Sequence, residues 1–71
     1  MENQLREVIA YNLRVERAKK DLTQEQLAEK AEISHKHLTK IENCYVTPSV
    51  FIILKLANAL DITVNDIVYK E

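Results

Sequence analysis

Apolar residues recur along this chain at helical intervals, and three of the runs open on the same local signature. Leu5, Ile9 and Leu13 stand four apart with Val8 beside them, one stripe of a helix read from about Leu5 to Lys20. Arg17, Lys19 and Lys20 fall in its last turn, where cations complement the helix dipole. In Leu22-Thr23-Gln24-Glu25-Gln26-Leu27, Thr23 can cap, Gln26 can reach back to it, and Leu22 and Leu27 can staple. A second helix is predicted from Gln24 to about Ala31. Ile33-Ser34 with Leu38 repeats the device and starts a third helix, His35 to about Asn43.

Pro48 disfavours helix at the residue before it, so Cys44 to Pro48 reads as a loop. Ser49 caps a fourth helix, Val50 to about Leu60, with Val50, Ile53, Leu56, Ala57 and Leu60 facing inward. Ile62-Thr63-Val64-Asn65-Asp66-Ile67 carries the signature a third time and opens a short fifth helix that ends near Val68. Residues 1–4 and 69–71 are expected as short flexible ends. Caps alone suit any small bundle. The three-residue turn Glu32-Ile33-Ser34 between two short helices is more specific, because that is the spacing of a helix-turn-helix motif, here at about 24–43.

Composition narrows the class further. At 71 residues the chain is one domain. It has no glycine, which argues against tight β-hairpins and removes every glycine-rich phosphate loop. The lone Cys44 has no partner for an internal disulfide, which fits a reducing cytoplasm. The polar N-terminus lacks the apolar stretch of a secretion signal. The longest apolar run, Val50 to Leu54, is far short of the ~18 residues of a membrane span. A soluble, cytoplasmic, all-α protein is expected. The formal net charge of −1 does not advertise nucleic acid, so a case for it rests on local charge.

Taken together, the motifs resemble the lambda-repressor/Cro-like (XRE-like) helix-turn-helix family, over about Ile9 to Val68. Leu22 to Ala31 is similar to the family's first motif helix. Ile33-Ser34 with Leu38, Thr39, Ile41 and Glu42 is similar to its recognition-helix frame. Thr47-Pro48-Ser49 and Leu54 to Leu60 are similar to its fourth helix. Two departures stand out. The family usually carries glycine where Glu32 and Cys44 sit, positions that often need φ > 0. Either Glu32 accepts a left-handed backbone, at roughly 1–2 kcal/mol, or the turn shifts its dihedrals.

On a wheel of ~100° per residue, Leu38 and Ile41 of the third helix point one way with His37 flanking, and His35, Lys36, Thr39, Lys40 and Asn43 lie opposite. No acid lies between Glu32 and Glu42, although the chain has 11. The resemblance implies that His35, Lys36, Thr39 and Lys40 read base edges, with lysine able to donate to guanine O6 and N7. His35 can donate to a base or, when protonated, to a phosphate, which would make binding mildly pH-sensitive.

Helix starts supply phosphate contacts through free N–H groups, which selects Thr23, Gln24 and Ser34; the resemblance assigns Gln24 directly. Asn43, Tyr45 and Thr47 are further phosphate candidates. The resemblance also implies an ion pair between Arg17 and Glu42 that locks the third helix to the first. The rival reading of each set is a solvated polar surface.

Other chemistries fit poorly. His35, His37, Glu42 and Cys44 lack convergent metal-ligand spacing, and no pocket or oxyanion donor accompanies Cys44. No metal, cofactor or catalysis is expected. Tyr45, Val46, Phe51 and Ile52, joined by Val68 and Tyr69, either complete the core or form a homodimer interface. The expected function is operator binding by a homodimer that regulates transcription, most simply as a repressor. A restriction-modification controller, an antitoxin or a phage switch protein would share the fold. So would a protein-interaction module that has lost DNA binding, for which acids on the third helix would be the sign.

Overall fold

Each predicted start carries its cap. Thr23 Oγ1 accepts the Gln26 N–H at 3.1 Å and Gln26 Oε1 accepts the Thr23 N–H at 2.9 Å. Ser34 and Ser49 accept from the N–H groups of His37 and Ile52. Thr63 and Asp66 close a second reciprocal box at 3.2 and 3.0 Å. The computed structural model describes residues 2–69, with side chains from Gln4 onward. Of the ends expected to be flexible, residues 1, 70 and 71 lie outside the described residues.

Among the described residues there are five helices and no strand: α1 (Glu2–Lys19), α2 (Gln24–Ala31), α3 (His35–Glu42), α4 (Val50–Leu60) and α5 (Val64–Val68). α1 begins three residues before the predicted start at Leu5, which is itself 40% exposed.

α1 packs on α3 and α5, α2 on α3 and α4, and α4 on α5. Ile9, Leu13, Leu27, Leu38, Ile41, Leu56, Leu60 and Ile67 are fully buried at their centre. Leu22, Ile33 and Ile62, the predicted staple residues, pack against that centre from the turns. One inward position of the sequence reading is wrong. Val50 is 71% exposed, since it stands at the first residue of α4, beyond the reach of α2, and Ile53 takes the first core place.

The helix stops share one geometry. Asp21, Glu32, Cys44 and Asp61 all have positive φ, at 61°, 59°, 65° and 56°. In each case the next residue sends its N–H five residues back: Leu22 to Arg17, Ile33 to Ala28, Tyr45 to Lys40 and Ile62 to Ala57. These bonds satisfy carbonyls that a helix end leaves open. Glu32 thus keeps the turn and accepts the left-handed backbone. Asp tolerates that region better than Glu or Cys, through its short polar side chain. Glu32→Gly should therefore raise stability by about 1 kcal/mol, part of the relief being offset by glycine's freedom in the unfolded chain. An unchanged or lower urea midpoint would show that the backbone stores no such cost there.

Asp66 links the last helix to pH. The Thr63 backbone N–H, then its hydroxyl, holds the Asp66 carboxyl below its ordinary value of 3.8. A depressed carboxylate stabilises the fold above its unfolded pKa, and that contribution is lost as pH falls through the folded one. Acid titration below about pH 4 should therefore loosen the start of α5 first. Amide exchange at Thr63 and Val64 that stays flat through that range would contradict this. At its far end α5 is tied to α1 by Asn12, whose Nδ2 donates to the carbonyls of Ile67 (2.8 Å) and Tyr69 (3.0 Å).

Candidate nucleic-acid interface

α3 presents the face its sequence implies. Leu38 and Ile41 are buried, His37 is half-buried, and His35, Lys36, Lys40 and Asn43 are exposed. Lys36 and Lys40 have no ion-pair or hydrogen-bond partner among the described residues, so both ammonium groups are available to a ligand. No acid stands among these outward groups.

The helix behind that face is held by cations of α1. Arg17 donates from Nε to Glu42 Oε2 and from Nη2 to Glu42 Oε1, both at 3.0 Å. Its Nη1 donates to the Leu22 carbonyl at 2.9 Å, so one guanidinium joins α1, the turn before α2, and α3. Glu42 is only 1% exposed, and Arg17 covers it. Arg14 Nη1 adds a bond to the Glu42 carbonyl at 3.0 Å, closing the end of α3. The sequence reading did not single out Arg14 or Asn12. Both are polar residues one turn apart from core positions of α1, and only the packing of α3 and α5 reveals what they bond.

Gln24 is more deeply committed than a surface phosphate contact would be. Its Nε2 donates to Glu42 Oε1 at 3.0 Å. Its Oε1 accepts from Thr39 Oγ1 at 3.1 Å and lies 3.2 Å from His35 Nε2. Thr39 is half-buried and shares its proton with the His35 carbonyl at 3.0 Å, so its hydroxyl is largely spent inside the protein. The first N–H groups of α2 have no intrahelical acceptor and border a shallow cleft formed with Arg17, Asp21 and His35. Glu25 also lines this cleft.

The remaining candidates are spread over the rim. Ser34 caps α3 and stays exposed; Thr47 Oγ1 accepts from Arg6 Nε at 3.0 Å. Tyr45 is 70% and Phe51 67% exposed; Val46, Ile52 and Val68 are half-buried and pack on the core. Val50 and Leu54 join Phe51 on the open side of α4, and Lys55 Nζ sits 5.1 Å from the Phe51 ring centre. Tyr69 is exposed at the end of α5. Among the described residues no His, Cys, Asp or Glu cluster is arranged to hold a metal ion, and no helix is long and apolar enough to cross a membrane.

Two short helices set by a three-residue turn, the second held rigidly with free cations outward, define a helix-turn-helix protein of the DNA-binding class. Residues 13–67 match the model of the helix-turn-helix family HTH_3, and the chain belongs to this XRE-like family of DNA-binding transcription regulators. Among solved structures, it is similar to a hypothetical transcription factor, NHTF, from Neisseria: 29% identity, TM-score 0.90, 97% of this chain and 79% of that one. It is also similar to the restriction-modification controller protein C.AhdI from Aeromonas hydrophila, at 32% identity and TM-score 0.84 over 87% of this chain and 94% of that one. The clp gene regulator ClgR from Corynebacterium glutamicum matches at 32% identity and TM-score 0.83, over 89% of this chain and 67% of that one. No curated protein matches by sequence.

Proposed function

We propose that this protein is a homodimeric repressor that occupies a two-fold-symmetric operator and acts by occupancy, not by catalysis. The observation that carries the reading is the outer face of α3, where His35, Lys36 and Lys40 stand exposed on a helix clamped from behind by Arg17. Lys36 and Lys40 donate to guanine edges in the major groove. Phosphates approach the open N–H groups of α2 near Thr23 and Gln24, with Ser34, Asn43, Tyr45 and Thr47 on the rim; these contacts set register, not sequence.

The apolar edge formed by Tyr45, Val50, Phe51 and Leu54, with Tyr69, supports pairing of two copies. A two-fold dimer sets its recognition helices about 34 Å apart, one turn of DNA. The test is selection from random duplex DNA followed by sequencing, with sedimentation of the protein alone and with its selected site. The expected results are a palindromic motif and a dimer. Enrichment without symmetry, or a monomer at high concentration on and off DNA, would overturn the dimeric reading.

A compact restriction-modification controller is a second reading. The likeness to the Aeromonas hydrophila controller favours it, since this chain accounts for 94% of that protein's length. The genes beside its operator would separate the two.

A further inference from the structure

The geometry points to a specificity relay in which Gln24 fixes the proton position on His35, and so makes His35 a reader of base amino groups. The inference rests on α3 entering the major groove, and adds to it which bases one position selects.

The relay starts at the buried end of α3. Glu42 is a carboxylate paired with Arg17, so whatever touches Glu42 Oε1 must donate. Gln24 lies 3.0 Å from that oxygen and therefore turns its amide nitrogen toward it. The opposite amide orientation would place two acceptors against each other. Gln24 Oε1 is then left facing His35 and Thr39, as an acceptor only. His35 Nε2, 3.2 Å away, must carry its proton to bond there. In a neutral imidazole the other nitrogen is then an acceptor. His35 is exposed and its Nδ1 has no partner among the described residues, so that lone pair is what a ligand meets.

This polarity has a chemical consequence. In the major groove adenine and cytosine present an amino donor, N6 or N4, while guanine and thymine present a carbonyl acceptor. An unanchored histidine can swap its proton or flip its ring, and satisfies either kind. Anchored through Nε2, it can do neither. Its Nδ1 accepts from the amino group of adenine or cytosine and confronts the oxygen of guanine or thymine with a lone pair. Gln24 is thus a positioning residue, and the α1–α3 ion pair reaches the base through it.

The test has two arms. In ¹⁵N-labelled protein without DNA at about pH 8, where imidazoles are neutral, long-range ¹H–¹⁵N spectra should show His35 protonated at Nε2. Gln24→Ala, or Gln24→Met as a variant of closer volume, should shift it toward a mixture. In selections from random duplex DNA at the same pH, one position per half-site should favour adenine or cytosine over guanine or thymine by about fivefold, the scale of one hydrogen bond. His35→Ala should abolish that preference. Gln24→Ala should reduce it to about twofold or less, leaving the positions that depend on Lys36 and Lys40 intact.

A wild-type His35 protonated at Nδ1, a guanine or thymine preference at its position, or an unchanged preference in the Gln24 variants would each overturn the relay. If the wild-type protein enriches no DNA, the DNA-binding reading itself fails and the base readout falls with it. The spectra of the free protein tell that failure apart from a failure of the anchor.

Discussion

Glu42→Ala should lower the unfolding free energy by about 3–5 kcal/mol, because removing one member of a buried pair strands its partner. Here the loss is compounded. Arg17 forfeits two 3.0 Å bonds and keeps only the Leu22 carbonyl, and Gln24 Nε2 loses its acceptor. A chain of this size has a stability of only about 4–10 kcal/mol, so the change takes a large share of it. The melting temperature should drop by more than about 10 °C. DNA affinity should fall as well, since the clamp on α3 is what orients its outer face. Replacing both members by apolar residues of similar volume should recover most of the stability and little of the binding. A Glu42→Ala variant that melts within a few degrees of wild type would show that the pair is incidental.

Lys40→Ala should weaken operator binding without affecting the melting temperature, since the ammonium has no partner to lose. Each good base contact is worth about 1–3 kcal/mol, and a two-fold dimer loses it twice. The affinity should therefore fall by at least about thirtyfold, and the base preference at one position of each half-site should relax. Titrations on the preferred site and on its single-base variants check both. Uniform weakening across all of them, with a shallower salt dependence, would place Lys40 on a phosphate instead.

The sequence was most legible where chemistry is local. A hydroxyl two or three residues from a free N–H can be read off the chain, and all four caps at Thr23, Ser34, Ser49 and Thr63 stand where that chemistry puts them. Glu32 and Cys44 stand where the resemblance puts glycine; the sequence left open whether the backbone turns left-handed or the turn shifts, and both residues adopt the left-handed backbone. Asp21 and Asp61 adopt it too. Their signal was present in Asp21-Leu22-Thr23 and Asp61-Ile62-Thr63, the same stop-staple-cap order as Glu32-Ile33-Ser34.

Long-range choices were less legible. The cap pattern placed Gln24 at the start of a helix but said nothing about its rotamer, and the side chain turns inward to Glu42. The six apolar candidates of the loop, α4 and α5 divided: Val46, Ile52 and Val68 pack against the core, whereas Tyr45, Phe51 and Tyr69 remain open. Val50 was misplaced, since a wheel knows the face of a helix but not where its neighbour ends.

The turns before α2 and α3 are each fixed by a left-handed residue, a half-buried apolar anchor and a cap, and α3 is pinned again at its far end by Arg14 and Arg17. If α3 reads DNA in a dimer as proposed, a helix held at both ends resists tilting to follow an imperfect groove, and the DNA would deform instead. Base pairs between the half-sites, which no side chain reaches, should then influence affinity through how readily they bend and twist. Exchanging a flexible central step for a stiff A-tract, with both half-sites unchanged, should alter the dissociation constant severalfold.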